Sequence, residues 1–164
     1  MGQTYDIQPM TSKSANEIIK WTYETPYQLY NMTDDEETIQ ELLDGTYFQA
    51  DDRAGELAGY FCFGENAQVP GVRRAGVYKG HGVLDIGLGM HPDRTGKGLG
   101  LAFLMSGIVF AKHLYEPNML RLSVAVFNQR AIKLYEKAGF QHVRGFENSR
   151  AGSVTAFMLM VRNC

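Results

Sequence analysis

Two stretches of this chain combine residue types that could do chemistry. The first is "HPDRTGKGLGLAFL", His91 to Leu104, where three glycines and a lysine open onto an apolar run. Glycine weakens a helix by about 1 kcal/mol relative to alanine, so glycines crowded at a helix entrance need a reason. A nucleotide P-loop requires G-x-x-x-x-G-K followed by Ser or Thr. Here Gly98 follows Lys97, and His91 stands where the first glycine belongs. A dinucleotide fingerprint requires G-x-G-x-x-G, whereas Gly96, Gly98 and Gly100 run G-x-G-x-G. Two readings remain: a plain glycine-rich turn, or a main-chain cradle for an anion. In a cradle the first helical N–H groups lack intrahelical partners and the helix dipole favours negative charge. Missing Cβ atoms then let a diphosphate reach the backbone. Thr95, Gly96, Lys97, Gly98, Leu99 and Gly100 are its candidate residues, with Arg94 and Lys97 as cations that either reach phosphate or stay solvated.

The second stretch is "NQRAIKLYEKAGF", Asn128 to Phe140. Asn128 fits a helix N-cap, Ala131, Leu134, Tyr135 and Ala138 form an apolar stripe, and Gly139 fits the left-handed stop. A tyrosine on such a stripe is either a core aromatic or a proton donor held toward a site. Ahead of both stretches, "VLDIGLGM" sets Leu84, Ile86, Leu88 and Met90 against Asp85, Gly87 and Gly89, the alternation of a strand. Glycine inside a strand marks a bulge or the close approach of another chain, or it relieves crowding. Asp85 would need burial or a bridging water to act as a base, because a carboxyl near pKa 3.9 is too weak. Otherwise it binds an acceptor's charge or caps a loop. In "WTYETPYQLYNM", Trp21, Tyr23, Tyr27 and Tyr30 surround one acid, Glu24. That composition suits a cationic amine held by cation–π attraction and charge, or simply an aromatic cover for a sheet.

The elements that must position these residues follow from periodicity. "TYDIQPM" reads as a strand, "TSKSANEIIKW" as a capped helix burying Ala15, Ile18 and Ile19, and "DDEETIQELLDG" as a helix with acids in its first turn and Gly45 beyond its end. "TYFQADD" and "ELAGYFCFG" are antiparallel strands, and "GVRRAGVYKGHG" is a loop. The helix "LAFLMSGIVFAKHLYE" is apolar around most of its circumference, which predicts cover on several sides. "MLRLSVAVF" is a strand, and "QHVRGFEN" with "SVTAFMLMV" closes the chain as a hairpin. This order predicts a mixed α/β domain on a central, mostly antiparallel sheet of six to seven strands flanked by about four helices. Without repeats or linker-like segments, residues 1–164 read as a single domain.

Bulk properties narrow the class. A net charge of −2 and a pI near 6.1 give no electrostatic reason to expect nucleic acid or an anionic membrane. "MGQTYDIQPM" shows no basic start or apolar run, and Asp6 stands where a myristoylation site needs Ser or Thr. Cys62 and Cys164 follow no spacing rule, and His81, His91, His113 and His142 show no metal-ligand spacing. The expectation is a reduced, cytoplasmic setting with no metal.

Strand–"HPDRTGKGLG"–helix followed by strand–"NQRAIKLYEKAGF" resembles the GNAT superfamily of N-acetyltransferases. Asn128, Ala131, Tyr135, Gly139 and Phe140 match the family's N-x-x-A-x-x-x-Y-x-x-x-G-F pattern. One departure stands out: the family's Gln or Arg before its glycines falls at Thr95, with Arg94 one residue early. The resemblance implies acetyl-CoA as co-substrate, with its pyrophosphate on residues 95–100, and direct acetyl transfer to a primary amine of a small molecule or peptide. It further implies that Leu88, Gly89 and Met90 face the pantetheine arm and thioester, that Asn128 bonds that arm or caps its helix, and that Tyr135 is the general acid. Asp85 stands where the family often places a carboxylate base, with Glu24 and Glu147 as alternatives. Tyr23, Glu24, Tyr27 and Tyr30 would select the acceptor. A homodimer is left open. The alternatives are a catalytically silent acyl-CoA sensor of the same fold, and a regulator using "TGKG" for a nucleotide.

Overall fold

The computed structural model describes residues 4–164, the side chain of residue 74 excepted. Met1, Gly2 and Gln3, on which the expectation about the N-terminus partly rests, lie outside the described residues. Among the described residues, seven strands and four α-helices follow in the anticipated order, and the contacts divide the chain into two compact units.

The first unit runs to Cys62 and resumes over Leu88–Gly107. Thr11 caps α1 (Ser12–Ile18): its Oγ1 accepts from the Ser14 N–H at 3.1 Å. Asp35 caps α2 (Glu36–Leu42) by accepting from the Thr38 N–H at 2.8 Å, and that bond holds its carboxyl below the usual range. Strand β1 (Asp6–Pro9) pairs antiparallel with β2 (Tyr47–Asp51), and β2 pairs antiparallel with β3 (Leu57–Phe63) through a bulge at Ala50/Asp51. The end of β4 (Val83–Met90) lies next in hydrogen-bonded order. Phe61 and Phe103 stack at 4.6 Å in the core, with Tyr5 edge-on to Phe103 at 5.2 Å. Gly59 and Gly107 make that stack possible. A Cβ on Gly59 would meet Phe103 Cζ at 2.5 Å, and one on Gly107 would meet Phe61 Cδ1 at 2.6 Å.

The second unit comprises Phe63–Gly87 and Ile108–Cys164. Its order is β4, β5 (Met119–Ala125), β7 (Ser153–Asn163), β6 (Gln141–Arg150). Only β4 and β5 are parallel in the pairings of this unit; β5–β7 and β6–β7 are antiparallel. Helix α4 (Gln129–Lys137) follows β5. The stretch anticipated as a plain loop winds into a 3₁₀ turn over Pro70–Ala75 and contributes Val72 and Val77 to a cluster with Leu159.

Helix α3 (Gly100–Tyr115) corrects one expectation. Phe103, Leu104, Ile108 and Ala111 are buried, but Val109 is 51% and Leu114 is 52% exposed. The buried positions form a single stripe, so the helix is covered on one side and carries apolar residues on the other.

Candidate active site

The C-terminal end of β4 leads into the glycine segment. The His91 N–H donates to Ala58 O at 2.8 Å, toward β3. Successive main-chain N–H groups of a strand point to opposite edges. Leu88 and Met90 therefore present theirs on the edge away from β3, while Gly89 turns its carbonyl toward Gly59. This corrects the expectation for Gly89, whose backbone belongs to the β3 side. Its missing side chain has a separate cause: a Cβ there would meet Tyr60 Cζ at 2.5 Å.

Beyond β4, Pro92–Arg94 forms a 3₁₀ turn capped by His91, whose Nδ1 accepts from the Asp93 N–H at 3.0 Å. Thr95 Oγ1 donates to Pro92 O at 3.0 Å. Arg94 Nη2 donates to Asp52 Oδ2 at 2.7 Å, and this bond holds the Asp52 carboxyl below the ordinary range. Arg94, which the sequence left either reaching phosphate or solvated, is thus directed at the β2–β3 turn. Gly96 (φ +71°) and Gly98 (φ +76°) are left-handed, and both are exposed together with Lys97 between them. Their conformation needs glycine. The first i→i−4 bond of α3 joins the Phe103 N–H to Leu99 O at 3.2 Å. The N–H groups of Gly100, Leu101 and Ala102 therefore have no intrahelical acceptor. The space a Gly98 Cβ would take has no atom within 4 Å. Open main-chain donors, the positive helix end and Lys97 fit a diphosphate.

The acceptor candidates occupy the connection between α1 and α2. Tyr23 Oη donates to Met90 O at 2.8 Å, and burial pushes the phenol up to about 12. The Tyr23 N–H donates to Asn31 Oδ1 at 2.8 Å, closing the intervening segment into a loop. Glu24 is exposed on that loop, and Tyr27 and Tyr30 are half-buried in a 3₁₀ turn over Tyr27–Tyr30. Trp21 is buried, 4.9 Å from the His91 ring, and belongs to the core. Asn31 escaped the sequence reading because only the folded loop brings it to Tyr23.

The second unit holds Asn128, Tyr135 and Asp85. Asn128 Oδ1 caps α4, accepting from the Ala131 N–H at 3.2 Å. Tyr135 is half-buried, its ring 6.1 Å from that of Phe140, while its carbonyl accepts from the Phe140 N–H at 3.0 Å. Ile132, which the expected stripe omitted, is buried on this helix, and Ala138 is buried at its C-cap. Asp85 is only 4% exposed. Its Oδ1 accepts from Arg121 Nε at 2.6 Å, and its Oδ2 accepts from Arg121 Nη2 at 2.8 Å and Gln68 Nε2 at 2.8 Å. Three bonds thus engage the carboxylate that the sequence reading assigned as a base. Arg121 Nη1 also donates to Lys79 O at 2.8 Å, and the guanidinium lies 5.2 Å from the Tyr78 ring centre. A charge at Arg121, amid the apolar run "MLRLSVAVF", was the available signal: a buried cation needs a partner.

Among the described residues, no group of three or more His, Cys, Asp or Glu is placed to hold a metal ion. No helix of the described residues is long and apolar enough to cross a membrane. Among the described residues, neither Cys62 nor Cys164 forms a disulfide.

Comparison with known proteins extends these observations. The chain is 37% identical over 94 residues to mycothiol acetyltransferase of Propionibacterium freudenreichii subsp. shermanii; the match covers 57% of this chain and 27% of that protein. This chain therefore spans about a quarter of the length of that relative. The structure of an acetyltransferase (GNAT family) from Bacillus anthracis superposes with a TM-score of 0.76 at 13% identity, covering 99% of this chain and 96% of that one. A spermidine N-acetyltransferase chimera from Vibrio cholerae and hSSAT gives 0.74 at 18% identity, covering 98% and 95%. At such identities these two likenesses speak for the fold alone. The pattern of the acetyltransferase (GNAT) family itself matches residues 13–140, and with that match the chain belongs to the GNAT family.

Proposed function

We propose that residues 1–164 act as one catalytic domain that transfers an acetyl group from acetyl-CoA directly to the primary amine of a small molecule or peptide. The observation that carries this reading is the exposed turn between β4 and α3, in which left-handed Gly96 and Gly98 flank Lys97. Residues 95–100 hold the diphosphate through main-chain N–H groups and the helix dipole. The ties of Arg94 to Asp52 and Thr95 to Pro92 keep that turn in shape before binding. When bound, acetyl-CoA supplies an activated acyl group and a thiol leaving group.

The chain's own residues then have separable tasks. The Leu88 and Met90 N–H groups, fixed in a strand, donate toward the edge of β4 away from β3. Donors that need no reorganisation are the ones that stabilise developing negative charge. Tyr135 Oη holds the proton returned to the leaving sulfur. A phenol near pKa 10 has modest driving force for that transfer, so its placement on α4 carries the effect. Asn128 keeps the start of α4 in place. With Asp85 engaged by Arg121 and Gln68, the acceptor's cation is attracted by Glu24, exposed in the α1–α2 connection.

Calorimetric titration with acetyl-CoA, ATP and GTP, then a thiol-release assay over polyamines, peptides, amino acids and aminoglycosides, tests the reading. Spermidine enters the panel because a structurally similar protein carries that name. Acetyl-CoA binding with turnover of one amine class is expected. Binding without turnover would favour the sensor, and preferential nucleotide binding would overturn the assignment.

A further inference from the structure

Strands β4 and β5 pair in parallel over Val83↔Met119, Leu84↔Leu120 and Asp85↔Arg121. The last of these pairs is the buried ion pair, with Asp85 4% and Arg121 7% exposed. Parallel pairing is slightly weaker per residue than antiparallel pairing, so side-chain contacts weigh more in the register of β4 against β5. A slip by one residue would turn every β4 side chain to the opposite face of the sheet. Leu84 and Ile86 are both apolar and would tolerate such a change far better than a charge would. Asp85 would lose Arg121, leaving two buried charges uncompensated, which is strongly destabilising.

Building on the transfer reading above, we infer that Asp85 and Arg121 are positioning residues: their ion pair sets the register of β4, and thereby which of its main-chain N–H groups meet the thioester. Three further contacts support that role. Gln68 holds Asp85 Oδ2, Lys79 O holds Arg121 Nη1, and Tyr78 lies against the guanidinium. Tyr78 Oη is itself fixed, 2.7 Å from Ser123 Oγ on β5 and accepting from the Val69 N–H at 2.9 Å. The connection from β3 to β4 is therefore tied at Gln68, Val69, Tyr78 and Lys79 to the strands whose register it sets. Buried ion pairs seldom add net stability over apolar residues of similar volume, but fixing register is their best-attested use. The Leu88 and Met90 amides lie three and five residues further along the same strand, so a shift in β4 changes the edge on which they point.

Asp85→Asn and the double variant Asp85→Leu/Arg121→Met separate positioning from stability and from proton transfer. The readouts are the thermal midpoint, calorimetric affinity for acetyl-CoA, the pH profile of kcat, and hydrogen exchange at the Met119 and Arg121 amides, which face β4. Expected for Asp85→Asn is at least tenfold weaker acetyl-CoA binding, faster exchange on β5 and an unchanged acidic limb of the profile. The double variant recovers the thermal midpoint while affinity stays weak and exchange stays fast. If affinity and exchange recover along with the midpoint, the pair only stabilises and the inference fails. If Asp85→Asn binds acetyl-CoA normally but loses the acidic limb, Asp85 is a base and the inference fails. Should the unaltered protein not bind acetyl-CoA, the transfer reading falls, and exchange in the double variant alone decides whether the pair sets register.

Discussion

The Tyr23 hydroxyl reaches the Met90 carbonyl at 2.8 Å, so the loop between α1 and α2 is anchored to the very residue whose N–H faces the open edge of β4. Tyr23→Phe removes that anchor without removing the ring. The expected result is a severalfold higher KM for the amine with acetyl-CoA affinity unchanged. Asn31→Ala, which frees the other end of the loop, shifts the same constant. The phenol also gives a stability signature. Its folded pKa of about 12 lies above the unfolded value near 10. Its contribution is complete below pH 10 and is lost as pH rises toward 12, by about 2 kcal/mol. Urea midpoints measured from pH 9 to 12 fall less steeply in Tyr23→Phe.

Gly98 and Gly45 make a matched pair, both left-handed and both without an atom within 4 Å of an added Cβ. Alanine at either costs about 1 kcal/mol of backbone strain, and thermal melts should show similar losses. Only Gly98→Ala weakens acetyl-CoA binding, by tenfold or more. Equal affinities in the two variants would remove the phosphate cradle.

Arg94 and Asp52 share one bond, so Arg94→Gln and Asp52→Asn weaken acetyl-CoA binding by the same severalfold factor. A loss confined to Arg94→Gln would mean the guanidinium meets phosphate. The pair also shapes acid stability. Asp52 titrates below the unfolded carboxyl near 3.9. Its contribution is present above that value and is lost as pH falls below it. Unfolding followed from pH 6 to 3 shows a shallower acid decline in Arg94→Gln.

Tyr135→Phe is expected to lower kcat by 10²-fold or more while acetyl-CoA affinity holds, since the hydroxyl acts only as sulfur departs. A parallel loss in both would make the residue structural. Asn128→Ala costs about 1 kcal/mol in thermal stability through the lost cap, and Asn128→Asp restores it because a carboxylate still accepts from the Ala131 N–H.

Periodicity made the element order legible, and the caps at Thr11, Asp35 and Asn128 sit where local hydrogen-bonding rules place them. The glycine turn was equally readable, since left-handed backbone demands that residue. Long-range partners were not. Asp85 read as a candidate base because nothing local announces that Arg121, on another strand, will meet it. Arg94 read as either a phosphate ligand or a solvated cation because Asp52 lies far away in sequence. Helix α3 misled for a different reason: its apolar circumference records composition, whereas burial depends on what lies beside it, and Val109 and Leu114 stay exposed.

Strand β4 and helix α3 each pass from one compact unit to the other partway along their length, at residues 87/88 and 107/108. A nascent chain therefore has every residue of the glycine-bearing unit once position 107 has emerged. Residues 63–87, in contrast, must wait for β7, which ends at Asn163. Vectorial synthesis makes the residues of the half proposed to grip phosphate available first and those of the half carrying Tyr135 last.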